Sequence, residues 1–251
     1  MFALQTLSDD LATVSYRSVG KQLAPLIVRT RGHRLEGMWH AGSPMGMILN
    51  SLKGMLVLTP RNMVQASGMY NTLMSCTDPA LIIEPLNAYR LKEKEPLNLG
   101  EFTVPLGKIE IINPGTDITV VSYGSTLKLV EKTIPELQRN NINIELIDIQ
   151  SLIPFDLNKD IVESIKKTNK LLIVDEDYPG GASSFILKVL IEDHNGFKYL
   201  DSKPITLTAK EHRTPYGSDG DYFSKPSIDD IFEACYRIMH EYNPKKYPRN
   251  Y

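Results

Sequence analysis

The sequence has little cysteine and no long apolar run, and these two absences limit what the chain can be. Its 251 residues include only two cysteines, Cys76 and Cys235, which are too few and too far apart to form a disulfide framework or a cysteine metal cluster. A reducing, cytoplasmic compartment fits that usage best. No apolar run reaches the roughly 18 residues of a membrane-spanning helix, so we expect a soluble protein without a membrane partner.

Charge is nearly balanced, and the sequence has no long basic stretch. The formal net charge is −2, and only residues 245–249 near the carboxyl-terminal end are locally basic. Such a composition offers no electrostatic reason to bind nucleic acid or an anionic membrane surface. We therefore expect no nucleic-acid partner.

Three common site signatures are also absent from the sequence. It contains no G-x-x-x-x-G-K-[ST] phosphate loop, no G-x-G-x-x-G after a strand and no G-x-S-x-G nucleophile motif. The turn Tyr123-Gly124-Ser125 is similar to a phosphate-binding strand-to-helix turn, although a tight turn followed by a helix cap explains it more simply. The sequence therefore predicts neither a Walker-type site nor a standard dinucleotide site.

Apolar periodicity predicts alternating strands and helices in two blocks, with parallel crossovers. This pattern is typical of two open parallel α/β domains. We assign residues 1–85 to the first domain, 86–116 to a Pro- and Gly-rich linker with one extended piece at 108–112, and 117–251 to the second. The expected strands are 25–29, 55–59, 80–84, 118–122, 143–148, 170–175 and 205–208, and the expected helices are 3–18, 44–52, 61–76, 126–139, 157–167, 182–191 and 228–241.

The helix expected at 3–18 has an apolar face but no preceding strand to cover it. A domain rarely begins in this way, so we expect an upstream segment to complete the first sheet. Both cysteines fall in positions that read as helical and half-buried.

The strongest candidate for a functional site is the loop between the first strand and the helix at 44–52. Residues 26–44 run from an apolar strand into a polar, Gly-punctuated loop that contains His33, Trp39 and His40. Open α/β sheets bind ligands at such strand ends. Because an aromatic neighbour lowers the local dielectric, it tends to lower a histidine's pKa, and a neutral imidazole can exchange protons at pH 7. We therefore predict that His40 is catalytic.

A zinc site that uses His33 and His40 is a weaker alternative. Neither histidine has a cysteine or carboxylate at ligand spacing, so no metal site is predicted. His194 and His240 are interpreted as surface residues. His212 lies in a loop that either contacts another subunit or is ordinary loop structure.

Five motifs in order resemble one family, the beta subunit, or equivalent carboxyl-terminal half, of thiamine-diphosphate-dependent 2-oxo acid dehydrogenases. The resemblance covers essentially the whole chain, and the loop is closest to the fused single-chain enzymes. The matching segments are VRT…GMWHAGSP at 28–44, LTPR at 58–61, LIIEP…YR at 81–90, DITVVSYG at 117–124 and IDIQSLIP at 147–154.

The resemblance implies a fold, a cofactor and partners. The fold would be a partial pyrimidine-binding, transketolase-like domain followed by a transketolase carboxyl-terminal α/β domain. Thiamine diphosphate and Mg²⁺ would be bound mainly by an alpha-type half or subunit, since the family's pyrimidine-binding glutamate lies upstream of this sequence. The partners would be that half, the lipoyl acyltransferase of the complex and a second copy of the chain in a homodimer.

The resemblance also implies a reaction and a role for His40. The complete enzyme would oxidatively decarboxylate a 2-oxo acid and transfer the acyl group to lipoyl-lysine, with His40 as the acid-base in that transfer. The isolated chain would be inactive. Two alternatives stay open: a transferase similar to transketolase or deoxyxylulose-phosphate synthase, and a non-catalytic module for dimerisation and acyltransferase docking. The sequence does not identify the 2-oxo acid.

Overall fold

The computed structural model describes residues 3–32, 45–85, 89–217 and 219–248. Within these residues the chain forms two sheets, each covered by helices. The strands are β1 (Ile27–Arg31), β2 (Leu56–Leu58), β3 (Ala80–Glu84), β4 (Glu110–Asn113), β5 (Ile118–Ser122), β6 (Ile144–Asp148), β7 (Ser151–Ile153), β8 (Leu171–Val174) and β9 (Ile205–Leu207). The α-helices are α1 (Ala3–Gln5), α2 (Val14–Arg17), α3 (Met45–Ser51), α4 (Met63–Leu73), α5 (Leu127–Arg139), α6 (Asp160–Thr168), α7 (Ala182–Lys188), α8 (Gly220–Ser224) and α9 (Ile228–Tyr242), and π-helical segments at Thr6–Leu11 and Val189–Asp193 follow α1 and α7.

The first sheet has the strand order β1-β3-β2-β7. Strands β1, β3 and β2 are parallel, whereas β7 pairs antiparallel with β2 and comes from much later in the chain. Every residue of β3 is buried. A parallel strand covered on both faces needs such a continuous apolar run, and Leu81, Ile82 and Ile83 supply it.

The second sheet has the order β4-β6-β5-β8-β9. Strands β6, β5, β8 and β9 are parallel, and β4 is an edge strand that pairs antiparallel with β6. Helices α5 and α9 pack on one face through a core that includes Leu127, Val130, Ile231 and Cys235. Helix α6 and the helical segment that begins at α7 contribute instead to the core shared with the first sheet.

The structure confirms the predicted fold class, two α/β units dominated by parallel strands. Two strands depart from the parallel pattern, since β7 joins the first sheet and β4 joins the second. The helix expected from residue 157 begins only at Asp160, because Asp156 accepts hydrogen bonds from the amides of Asp160 and Ile161. Leu157, the first residue of the expected helix, lies before the observed helix and is exposed.

Three further expectations about side chains are wrong. His194 is almost buried and stacks on Phe155, because the chain folds back over the Asn195-Gly196 turn. His240 is half-buried and its Nδ1 lies 2.7 Å from the carbonyl oxygen of Tyr247. Cys235 is completely buried, and burial raises the pKa of its thiol to about 12.

The segment between the two sheets packs on helix α4. Asn71 donates hydrogen bonds to the carbonyls of Leu99 and Phe102 at 2.8 and 2.7 Å. Gly68 makes room for this contact, since a Cβ atom there would lie 2.4 Å from the Phe102 ring. The segment then enters the second sheet as β4. Domain limits at residues 85 and 117 stay a prediction. No helix among the described residues is long and apolar enough to cross a membrane.

Candidate functional site

The described structure holds the residues on both sides of the predicted catalytic loop. The amide of Gly32, just after β1, donates a 2.6 Å hydrogen bond to the carbonyl of Glu84 at the end of β3. Met45, the first residue of α3, is completely buried. His40 and His33 fall between these two anchors and outside the described residues, so the roles assigned to them stay predictions.

A buried carboxylate organises this edge of the sheet. Glu84 is only 2% exposed and accepts hydrogen bonds from the hydroxyl of Tyr70 at 2.5 Å and from the hydroxyl of Tyr89. Arg29, on the neighbouring strand, donates to the same carboxylate at 2.9 Å. Burial raises the pKa of both tyrosine hydroxyls, and their hydrogen bonds to Glu84 raise it further. The cluster therefore ties β1, β3 and α4 together beside the loop.

The far end of the loop is fixed by the second domain. Helix α3 begins against the turn between β8 and α7, and a Cβ atom on Gly46 would lie 3.0 Å from the carbonyl oxygen of Gly180. Only glycine allows this approach without a shift of the backbone. The start of α3 is thus in contact with the turn that follows β8 of the second sheet.

The turn after β8 is held by another buried carboxylate. Asp175 accepts hydrogen bonds from the Tyr123 hydroxyl at 2.7 Å, the Asp177 amide at 3.0 Å and the Ser183 amide at 2.8 Å. Burial raises the pKa of Tyr123 well above its usual value, and the nearby Asp175 charge adds to that shift. Asp175 thereby connects the end of β8 to the start of α7.

A third carboxylate joins the two domains. Asp148, at the end of β6, is completely buried and lies 2.8 Å from the Arg61 guanidinium, which also binds Glu110 at 2.7 Å. Gln65 donates a 3.0 Å hydrogen bond to Asp148 and a 2.7 Å bond to Gln150. Burial disfavours the Arg61 cation, but hydrogen bonds to Glu110 and Asp148 prevail and raise its pKa.

Complete burial raises the pKa of Asp148, and this effect outweighs the lowering by the hydrogen bonds from Gln65 and Arg61. The sequence predicts no role for Arg61, Glu84 or Asp148, which occur there only as members of the matching motifs. The available signal was their position, since each lies at or just after the carboxyl end of a strand where a charged side chain is unexpected.

Within the described residues there is no group of three or more His, Cys, Asp or Glu side chains that could hold a metal ion. His212 lies on an exposed loop, with its Nδ1 2.9 Å from the carbonyl of Arg213. The described part of the chain therefore provides an ordered frame around the loop at 33–44, and not a metal site.

Comparisons with known proteins extend over both domains. Residues 107–223 match the family model described as the transketolase carboxyl-terminal domain. The chain is 31% identical to the pyruvate dehydrogenase E1 component subunit beta of Chlorokybus atmophyticus over 236 residues, which cover 93% of this chain and 69% of that protein.

Two further relatives, at slightly lower identity, are also named as beta subunits. Identity is 29% with the corresponding subunit of Acholeplasma laidlawii, covering 88% of this chain and 66% of that protein. It is 28% with the acetoin:2,6-dichlorophenolindophenol oxidoreductase subunit beta of Bacillus subtilis (strain 168), covering 92% and 66%. The chain thus spans about two thirds of the length of these relatives.

A solved structure titled as a split-gene transketolase, an inactive beta4 tetramer, has the same fold. Its TM-score is 0.70 at 16% sequence identity, and the match covers 94% of this chain and 73% of that chain. At this identity the likeness concerns the fold alone.

Glu84→Gln tests the frame around the loop. The substitution keeps the shape but places an amide group against the donors of Tyr70, Tyr89 and Arg29. We expect the free energy of unfolding to fall by about 1–3 kcal/mol in urea titrations. The matched control is Glu163→Gln, which removes an exposed pair with Lys166 and should cost under about 0.5 kcal/mol. Equal losses in the two variants would contradict a special role for Glu84.

Arg61→Met tests the contact between the domains. Because it leaves Asp148 buried without its cation, we expect a loss of about 3–5 kcal/mol in the free energy of unfolding. The double variant Arg61→Met/Asp148→Asn should lose less than the sum of the two single variants. Arg139→Met, which removes an exposed pair with Glu136, is the control and should have little effect. Strict additivity in the double variant would show that the pair is not coupled.

Proposed function

The chain belongs to the family of E1 beta subunits of 2-oxo acid dehydrogenases, and we propose that it acts as the beta part of such a decarboxylating component. Together with an alpha-type half or subunit, it would oxidatively decarboxylate a 2-oxo acid and pass the acyl group to lipoyl-lysine of the acyltransferase. The observation that carries this proposal is the 31% identity to a pyruvate dehydrogenase beta subunit over 93% of the chain. That alignment includes both domains and the loop at 33–44.

The cofactor of this reaction would be thiamine diphosphate with Mg²⁺, which supplies the carbanion chemistry when bound. The described residues do not fit the metal–diphosphate end of this cofactor, because they include no group of three acidic, histidine or cysteine side chains around one point. We therefore assign that end to the alpha-type partner. This chain would contribute the ordered edge of the first sheet and the loop that begins after Gly32.

His40 would be the acid-base of the lipoyl acylation step. The support comes from the frame around its loop, since Glu84 fixes the strand before it and the buried Met45 fixes the helix after it. General acid-base catalysis requires a side chain held within hydrogen-bond reach of the reacting atom. A loop fixed at both ends by buried contacts meets that requirement better than a freely moving one.

No comparison favours the transferase or the non-catalytic alternative. The transketolase likeness is limited to the fold at 16% identity, and the curated relatives quoted above are dehydrogenase or oxidoreductase subunits. We propose a homodimer as the arrangement of this chain in the complex. The identity of the 2-oxo acid would be determined largely by the alpha-type half.

Calorimetric titration tests where the cofactor binds. Thiamine diphosphate with Mg²⁺ is titrated into this chain alone and into the chain combined with its alpha-type half. We expect binding heat only from the combined protein, because the part of the chain that the structure describes includes no group of metal ligands. Tight binding by the chain alone would refute the assignment of those ligands to the partner. The absence of heat from both samples would refute the dehydrogenase proposal.

His40→Ala, measured in the assembled enzyme, tests the acid-base role. Decarboxylation with an artificial electron acceptor should persist, whereas lipoyl acylation should fall by about 10²-fold or more, the usual value of one acid-base group. His212→Ala is the matched control, since that histidine lies on an exposed loop, and both rates should be retained. An equal loss of both rates in His40→Ala would exclude the proposed role.

A further inference from the structure

Helix α3, which follows the loop at 33–44, packs against the second domain as well as the first. It buries Met45 and Leu49 in one apolar core. The same core includes Ala182 and Ile186 of α7, which belong to the second domain. Because burial of apolar side chains is a main source of such packing energy, the position of α3 depends in part on the second domain.

Backbone atoms of α3 also approach the turn at 178–181, which lies between β8 and α7. A Cβ atom on Gly46, the second residue of α3, would lie 3.0 Å from the carbonyl oxygen of Gly180 and 3.6 Å from the Cα atom of Gly181. Backbone atoms cannot turn aside as the end of a flexible side chain can, so a larger residue at this position would displace either α3 or the turn. The first turn of α3 therefore has little spare room toward the second domain.

Hydrogen bonds on both sides hold this turn in place. The buried Asp175 carboxylate accepts the amides of Asp177 at 3.0 Å and Ser183 at 2.8 Å. The Tyr178 hydroxyl donates a 3.2 Å hydrogen bond to the carbonyl of His212, on the loop after β9. Helix α3, by contrast, has only seven residues. We therefore expect α3, rather than the turn, to move when their contact is crowded.

The start of α3 is close to His40 along the chain. His40 is five positions before Met45 in the sequence, so a displacement of Met45 is carried to His40 over a short span of backbone. The other side of the loop is held by the first sheet, through the 2.6 Å hydrogen bond from the Gly32 amide to the carbonyl of Glu84. A misplacement of about 1 Å in a reacting group can cost about 10²-fold in rate. The position of α3 is thus relevant to any reaction that uses His40.

We propose that the turn at 178–181 is a positioning element for His40, and that Gly46 is the positioning residue through which it acts. The contact between this turn and Gly46 determines where α3 begins, and α3 determines where the loop at 33–44 ends. The proposal rests on the acid-base role proposed for His40, and it gives a part of the second domain a role in the lipoyl acylation step.

Tryptophan fluorescence of Gly46→Val tests the position of the loop without any partner. Trp39 is the only tryptophan of the sequence and precedes His40 directly, so its emission reports on the surroundings of that loop. We expect both the emission maximum and the quenching by acrylamide to differ from those of the unmodified chain, because the valine side chain displaces the start of α3. Unchanged emission and quenching in Gly46→Val would overturn the proposal.

Gly100→Val is the matched control, since a Cβ atom on Gly100 would meet nothing within 4 Å. Its fluorescence should equal that of the unmodified chain, and a change equal to that of Gly46→Val would contradict a specific role of the contact. Gly46→Ala is the second variant, for use if circular dichroism shows that Gly46→Val does not fold. Alanine adds a single methyl group and favours helix more than glycine does. It should produce a smaller change in Trp39 fluorescence, and no change in this folded variant would likewise refute the proposal.

Rates of the assembled enzyme test whether this position matters for the reaction. In Gly46→Val we expect lipoyl acylation to fall by about tenfold or more, while decarboxylation with an artificial electron acceptor persists. A merely structural role would lower both rates together through the amount of folded enzyme, so equal losses, or two unchanged rates, would exclude the positioning role. If the unmodified enzyme does not decarboxylate a 2-oxo acid, the proposed function fails instead, and the fluorescence of Trp39 still decides whether Gly46 positions the loop.

Discussion

The buried pair between Arg61 and Asp148 is the constraint on which the arrangement of the two domains depends. A carboxylate that is completely inaccessible to solvent is costly unless a cation and further donors surround it, and here Arg61 and Gln65 reach across from the first domain. Strand β7 reinforces this contact by pairing with β2. The two sheets are thus joined by both a charge pair and a backbone ladder, and their relative positions are defined.

Defined positions matter because the loop that contains His40 is flanked by contacts to both sheets, at Glu84 in the first and at Gly180 beside the second. The turn at Gly180 limits where α3 can begin, and α3 ends the loop that contains His40. Buried carboxylates repeat this role at three strand ends, with Glu84 as the last residue of β3, Asp148 as the last residue of β6 and Asp175 just beyond β8. Each carboxylate is removed from water and accepts hydrogen bonds from donors on neighbouring elements. These hydrogen bonds hold the carboxyl edges of both sheets in place.

The sequence predicts those strands and helices whose limits depend on local apolar periodicity. Strands β3 and β5 were placed at their observed limits, because both are short apolar runs bounded by turn residues. Strand β7 was missed because its partner β2 lies in the other domain, and no local pattern reports such a pairing. His194 was placed on the surface because the Asn195-Gly196 turn is visible in the sequence, whereas its contact with Phe155 is not. The sequence does not predict the clusters around Glu84 and Arg61 for the same reason, because most of their partners are distant in sequence.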